Sequence, residues 1–390
     1  MAFGETSGEF LVVWEDGRDA VSGGYSDIYG RRVGAGGAPN GGDFRISGPS
    51  ATAEDGAPAV AWNSAGDEFL VVWRDGRSLG MARGTDIYGR RVDADGVPIG
   101  GDFRISGNGA VANDEAPAVV WNETAGEFLV VWQDDRKPSD RSWDIYGRRV
   151  GGNGVPIGSD FRISGNKATS AEFDPAVAWN ETGNEYLVAW NDYRNTGLGR
   201  GSDIYARRVG AAGVTIGGDF RVCGGNAIAW EYEAAVDWNN AAQEYLVVWN
   251  DYRNNNSGRG SDIYGKRVGA DGSRVGSDLR ISGLQAKTND DDPTVVWNEA
   301  GNHYLVAWAD RRNVAADPTR GSDIYGRLLE ADLTPVGSDF RISGPDALNY
   351  ELDPAAAWNP AGQQYLVVWS DLRSPDTERD ADIYGRRVNG

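Results

Sequence analysis

Glu68-Phe-Leu-Val-Val-Trp-Arg-Asp-Gly-Arg77, followed after a short interval by Asp86-Ile-Tyr88, is one copy of a pattern that recurs along the whole chain. Its tryptophan stands at Trp14, Trp73, Trp132, Trp190, Trp249, Trp308 and Trp369, and the aspartate of Asp-Ile-Tyr at Asp27, Asp86, Asp144, Asp203, Asp262, Asp323 and Asp382. Successive aspartates lie 59, 58, 59, 59, 61 and 59 residues apart, so one structural unit is present seven times. A period of that size marks a repeat architecture, in which each unit buries its apolar face against its neighbours.

In the second unit, Pro58–Asn63, Glu68–Trp73, Asp86–Val92 and Gly101–Ser106 read as four short strands, A to D. The A–B and C–D connections, Ser64-Ala-Gly-Asp67 and Asp93-Ala-Asp-Gly96, have the composition of hairpin turns. The strands therefore form an antiparallel meander whose longer B–C and D–A loops share one edge. Every residue of Phe69-Leu-Val-Val-Trp73 is apolar, and an antiparallel strand of that kind needs cover on both faces. Doubly covered four-stranded sheets at this interval stack face to face around an axis. The expectation is an all-β fold, a seven-bladed β-propeller of four-stranded antiparallel blades; a β-helix would need a shorter period, and a two-layer sandwich about 100 residues per copy.

The blades fall at residues 1–48, 49–107, 108–165, 166–224, 225–283, 284–344 and 345–390, within one domain spanning 1–390. The first and last are expected to be incomplete. Ala2-Phe3-Gly4 aligns with Ala61-Trp62-Asn63, leaving a stub of strand A with Phe3 in the tryptophan slot, and the chain ends after Val388 without a seventh strand D. An open edge on blade 7 is expected to pair with flanking sequence or with another chain. The start in mid-repeat is compatible with a trimmed or mature form of something longer, with an extracellular, periplasmic or cell-surface location favoured.

Trp-Asn-x-x-Gly-x-Glu-Phe-Leu-Val-Val-Trp-x-Asp-x-Arg followed by Ser-Asp-Ile-Tyr resembles the WD40-like repeat of the TolB-type β-propellers over nearly all seven units. The resemblance implies a propeller with strand A innermost. Two departures stand out: the turn after the strand A tryptophan is Asn-Ser-Ala-Gly-Asp or Asn-Glu-Thr-Ala-Gly, and the B–C loops are several residues longer. Fold alone assigns no activity.

A net charge of −20 weighs against nucleic acid or an anionic membrane as partner, since both demand a positive footprint. Carbohydrate, protein or a cation fits better. The single cysteine, Cys223, excludes an intramolecular disulfide. No run of about 18 apolar residues occurs, so no membrane-inserted helix is expected.

Three sets of residues are candidates for a site. Asp16, Arg18 and Asp27, with their equivalents in the other blades, lie at the two ends of the B–C loop and are expected to close it through an ion pair and hydrogen bonds. Asp55, Asp114, Glu172, Glu231, Asp290 and Glu351 precede strand A and would ring one channel mouth, where calcium is the cation that such oxygens favour; the plainer reading is that each carboxylate caps its own turn. Trp143 and Trp230 are the two tryptophans outside the repeat positions, and with Tyr193 and Tyr252 they offer flat apolar faces for a sugar ring, or else pack the loops.

Catalytic signatures are sparse: one histidine, His303, and no Gly-x-Ser-x-Gly elbow, phosphate loop or Cys-x-x-Cys. The leading expectation is accordingly a non-catalytic binding or scaffold propeller recognising a carbohydrate or protein through the B–C/D–A loop edge. The alternative is a carbohydrate-active enzyme, glycoside hydrolase or polysaccharide lyase, using carboxylates at the channel mouth. An enzyme should concentrate non-repeated polar residues there, whereas a binder should show equivalent pockets in each blade or an aromatic patch.

Overall fold

Phe69, Leu70, Val71, Val72 and Trp73 are all buried, so strand B has the two-sided cover that an unbroken apolar run demands. The computed structural model describes residues 1–18, 25–48, 53–78, 84–107, 112–136, 143–165, 170–196, 201–224, 229–255, 260–283, 288–314, 321–344, 349–372 and 381–390. Among these there is no α-helix, and the architecture is all-β, a seven-bladed β-propeller. Blade 2 comprises strand A (Asp55–Asn63), B (Glu68–Asp75), C (Asp86–Asp93) and D (Pro98–Arg104). Each sheet is a meander in chain order. The first blade's strand A is the stub Ala2–Gly4, and the seventh sheet has three strands, Glu351–Asn359, Gln364–Asp371 and Asp382–Asn389.

The chain divides into two compact units, Met1–Arg194 with Arg207–Asp219, and Asn195–Ala206 with Phe220–Gly390. The same packing recurs inside each. In the first, Leu70, Val72, Ile87 and Ile105 of blade 2 meet Trp121, Phe128, Val130 and Trp132 of blade 3. In the second, Leu246, Val248, Ile263 and Ile281 of blade 5 meet Trp297, Tyr304, Val306 and Trp308 of blade 6. Inside a blade the strand A tryptophan tilts onto the first aromatic of strand B, as Trp62 does onto Phe69 with centroids 4.6 Å apart. Phe3 meets Phe10 in the same way at 4.8 Å, so it does fill the tryptophan slot.

The repeated motif is spent on holding each blade together. In blade 2 the Trp73 indole donates to Asp75 Oδ2 (3.3 Å), and the Arg77 amide donates to Asp75 Oδ1 (2.9 Å). The Arg77 guanidinium pairs with both Asp75 and Asp102 of strand D and lies over the Tyr88 ring, 4.0 Å from its centroid. Blade 1 repeats this: Arg18 pairs with Asp16 and Asp43 and covers Tyr29. Asp27, however, pairs with Arg45 of strand D, as Asp86 pairs with Arg104. The aspartate of Asp-Ile-Tyr thus ties strand C to strand D through one oxygen and closes the B–C loop through the other, Asp86 accepting from Ser78 Oγ (2.8 Å) and Asp262 from Asn254 Nδ2 (2.7 Å), while Asp16 and Arg18 hold the start of the loop. Arg373, the seventh arginine of the motif, lies outside the described residues.

Two strand limits differ from the sequence reading. Strand D spans Pro98–Arg104 instead of Gly101–Ser106, because the amides of Ile105 and Ser106 both donate to the Ile87 carbonyl (2.7 and 3.2 Å) and leave the ladder. Strand A starts three residues early, at Asp55, because a bulge carries the pairing past Pro58. Asp55 and Gly56 pair with Asp75 and Arg74, after which the register shifts to Ala59 opposite Val72. The C–D hairpin is as expected, closed by bonds Gly96 N to Asp93 O and Asp93 N to Val97 O, both 3.0 Å, with Gly96 at φ +80°.

Candidate active site

The bulge in strand A turns one residue in each of blades 2 to 7 into the left-handed region: Ala57, Ala116, Asp174, Glu233, Asp292 and Asp353, with φ between 49° and 56°. An L-residue in that region is disfavoured by roughly 1–2 kcal/mol, least for Asp and Asn. The column is uniform in backbone but not in side chain. Blades 2 and 3 carry alanine, whereas blades 4 to 7 carry a carboxylate.

In blades 5 and 6 these carboxylates open into a cleft of about 430 Å³. Blade 5 supplies Tyr232 and Glu233 from strand A, Asn250 from strand B and Tyr252 from the B–C loop. Blade 6 supplies Asp291, Asp292 and Arg311, the counterparts of Tyr232, Glu233 and Tyr252, together with Asn289. All of these lie on the B–C/D–A loop edge.

Hydrogen bonds fix the groups in place. Glu233 Oε2 accepts from Asn250 Nδ2 (2.7 Å) and from the Asp292 amide (2.8 Å). Asp292 accepts the Asp353 amide, while burial, with Asp353 and Asp291 close by, pushes its carboxyl up to about 6. Asp291 accepts from Ser261 Oγ (2.9 Å) and lies 3.4 Å from the Arg311 guanidinium, yet burial still raises it. In the first unit Asp174 holds the same position: it accepts from Asn191 Nδ2 (2.9 Å), donates its amide to Gln133 Oε1 (2.9 Å), and is raised by burial. Buried carboxyl groups gathered in one cleft, with Asp291 and Asp292 both raised, are the kind of parts acid–base chemistry uses.

The aromatic candidates form two separate clusters. Trp230 stacks on Tyr232 (centroids 5.8 Å, planes 5° apart), and Tyr232 meets Tyr252 edge-on at 6.1 Å. Of the four candidates, Tyr252 thus lines the cleft and Trp230 stacks on Tyr232 of its wall. Trp143 packs on Phe173 at 5.9 Å, and Phe173 meets Tyr193 edge-on at 5.5 Å, within the first unit.

Asp55, Asp114, Glu172, Glu231, Asp290 and Glu351 are completely buried, each at 0% exposure, so they do not rim an opening. Each lies at the start of its strand A, opposite the strand B aspartate: Asp55 opposite Asp75, Asp290 opposite Asp310. It also reaches the preceding blade, as Asp55 does to Ser47 and Asp290 to Ser282. Burial and the neighbouring Asp75 push Asp55 up to about 8. Burial pushes Glu351 up to about 7 against the opposing bonds from Ser343 and the Ile324 amide. Asp114, Glu172, Glu231 and Asp290 are raised for the same leading reason. The facing carboxyls belong to one blade, and the contacts to Ser47 and Ser282 are what carry this column across to the preceding blade.

Among the described residues, one cluster brings three metal-capable donor atoms within 4.8 Å of one another: Asp203, Cys223 and Glu231. A cation already serves it. Arg221 donates to Cys223 Sγ (3.0 Å) and pairs with Asp203 (2.6 Å).

No family model matches the chain, and no curated protein matches it. Solved structures do. Puromycin hydrolase is similar over 98% of this chain and 52% of its own length, with TM-score 0.57 and 14% identity, so the chain spans about half of that enzyme. The alpha-L-arabinanase of Penicillium chrysogenum, complexed with arabinobiose, aligns over 86% of this chain and 93% of its own (TM-score 0.57, 13% identity). The alpha-L-arabinofuranosidase of Fusarium graminearum, in complex with an iminosugar inhibitor, aligns over 85% and 92% (TM-score 0.55, 13% identity). At these identities the likeness establishes the propeller fold. These propellers are enzymes, two of them acting on arabinose-containing glycans by their names, and the expectation of a non-catalytic binding or scaffold module is corrected accordingly.

The cleft residues Glu233, Asp291, Asp292, Asn250, Asn289 and Arg311 were not singled out in the sequence, although the signal was there. Two positions after the buried carboxylate, the blades read Ala, Ala, Asp, Glu, Asp, Asp, a break in the repeat as clear as that at Trp230.

Proposed function

We propose that the chain is a carbohydrate-active enzyme, a glycoside hydrolase, working in the blade 5–6 cleft. The observation that carries this reading is the convergence of Glu233, Asp291 and Asp292 in one cleft, with Asp292 still protonated up to about pH 6. Glycosidic cleavage needs a carboxylic acid to protonate the departing oxygen and a carboxylate to attack the sugar or activate water. Asp292 is suited to the first role, because burial and the charges of Asp353 and Asp291 hold its carboxyl up at about 6 against the lowering contacts from Glu233 and the Asp353 amide. Glu233, oriented by two N–H donors on one oxygen, is suited to the second. Asn289 and Tyr252 remain to orient hydroxyl groups. Concentration of non-repeated polar residues at one place is what separates an enzyme from a module with the same pocket in every blade. The glycan-cleaving propellers of similar fold support carbohydrate as the substrate class. The TolB-type likeness is kept as a proposal on descent, resting on the repeat motif alone.

The test is release of reducing ends from a panel of neutral polysaccharides, arabinan among them, and from 4-nitrophenyl glycosides. Turnover is expected from the wild-type chain and should be lost in Glu233→Gln and Asp292→Asn with the circular dichroism spectrum unchanged. Absence of turnover on every substrate by folded wild-type protein would overturn the hydrolase reading.

A further inference from the structure

The residue just before the buried carboxylate of strand A has the same backbone restraint in every blade where it is described. Its carbonyl accepts the amide that opens the B–C loop: Gly76 to Glu54, Asp135 to Asn113, Tyr193 to Ala171, Tyr252 to Trp230, Arg311 to Asn289 and Leu372 to Tyr350, all at 2.9–3.2 Å. The backbone is pinned while the side chain is free to vary. Asn289, in blade 6, lies in the cleft. The same position in the blades on either side, 5 and 7, is aromatic: Trp230 and Tyr350.

Both rings are exposed, at 43% and 44%, and both lean on the cleft wall. Trp230 stacks on Tyr232, and Arg311 lies over Tyr350 at 5.7 Å from its centroid. Each ring thus keeps close to half of its surface accessible while its backbone is firmly held. A pyranose or furanose ring presents a face of C–H groups that matches an aromatic face, and a rigid ring gives up little conformational freedom on binding. The carboxylates Glu233, Asp291 and Asp292 outnumber Arg311 between the platforms, which disfavours an anionic ligand.

We infer that Trp230 and Tyr350 are stacking platforms on opposite sides of the cleft, and that the ligand is a linear, uncharged oligosaccharide spanning blades 5 to 7 and bound along its length. The inference rests on the carbohydrate reading of the cleft and adds to it an extended, chain-binding mode. On this reading one sugar unit occupies the cleft, whereas a longer chain is needed to engage both platforms.

Calorimetric titration of the full chain separates the alternatives, with arabino-, xylo- and manno-oligosaccharides from disaccharide to hexasaccharide, and oligogalacturonate as the charged control. At least one neutral series should bind more tightly with length. Trp230→Ala and Tyr350→Ala should each weaken the hexasaccharide about tenfold and leave the disaccharide unchanged, Trp230→Phe should retain most of the affinity, and oligogalacturonate should not bind. The inference is overturned if no neutral series binds, if length adds nothing, if either alanine variant matches wild type on the hexasaccharide, or if the uronate chain binds as well. Binding is read without turnover, so length-dependent binding with no cleavage would uphold the platforms and sink the hydrolase reading. Cleavage of aryl glycosides with no gain from length would do the reverse.

Discussion

Gly89, in strand C of blade 2, has no room for a methyl group: a Cβ there would sit 2.8 Å from Ile105 Cδ1, with Val71 O at 3.3 Å and Leu70 Cδ1 at 3.4 Å. The same isoleucine tip crowds Gly30, Gly147, Gly265 and Gly326 at 2.7–2.9 Å. Blade 4 alone has Ala206 at this position, and there the isoleucine is replaced by Val222, which lacks the Cδ1 atom; both are fully buried. The two substitutions answer each other. Gly89→Ala alone should overpack the blade by about 1–3 kcal/mol, offset by about 0.4–1 kcal/mol from the stiffer unfolded chain. Ile105→Val alone should cost about 0.5–1.5 kcal/mol. In the double variant the new Cβ takes up the space that Cδ1 vacates, so the pair should cost at least ~1 kcal/mol less than the sum of the singles. Urea unfolding with a constant slope m, read as a shift in midpoint, measures each term. The reverse change in blade 4, Val222→Ile beside Ala206, should destabilise, and Ala206→Gly should rescue it. Additive effects within about 0.5 kcal/mol, or a neutral Gly89→Ala, would refute the close-contact argument.

The Asp55 carboxyl keeps its proton in the folded chain up to about pH 8 and loses it near pH 4 when unfolded. Between those limits the folded state binds the extra proton, so stability falls by about 1.4 kcal/mol per pH unit as pH rises. Asp55→Asn should remove that share of the slope in urea midpoints taken across this range, and an unchanged slope would count against a protonated Asp55. If Asp292 is the proton donor, kcat/KM should fall as pH rises through about 6, and Asp292→Asn should lower the rate by about 10²–10⁴ and abolish that limb of the profile. A limb that survives in Asp292→Asn would assign the proton elsewhere. Trp132→Ala, at a fully buried ring between blades 2 and 3, should cost about 3–5 kcal/mol; a loss below ~1 kcal/mol would mean that the ring is not part of the packed interior.

The blade was readable because its determinants are local and repeated. An all-apolar strand B, hairpin turns at Ser64–Asp67 and Asp93–Gly96, and an Asp-x-Arg motif recur at one interval; the turns and the motif are explained by contacts inside one blade, and strand B by cover from the next one. Pairing across strands was less readable. Arg18 and Asp27 stand at the two ends of one loop, yet Asp27 is taken by Arg45, because sequence proximity says nothing about which side of strand C the carboxylate faces. The buried carboxylate column was likewise read from its place before strand A, when the strand had already begun there and carried Asp55 into the blade.

The cleft was missed for a different reason. The left-handed conformation at Glu233 and Asp292 invites a reading as strain stored for catalysis, but Ala57 and Ala116 adopt it too, at φ 51° and 49°. It therefore belongs to the bulge that every strand A needs, and the site adds no strain of its own. Replacing alanine by Asp at such a position is, if anything, favourable, since Asp tolerates that region better. A repeat that fixes an awkward backbone in every copy thus allows a few side-chain changes, in adjacent blades, to build an asymmetric site with no added backbone strain, its cost lying in the burial that raises the carboxyls. On that argument the column to compare is the bulge residue in each blade, and the contrast between Ala57, Ala116 and Glu233, Asp292 carries more functional information than the motif that identifies the fold.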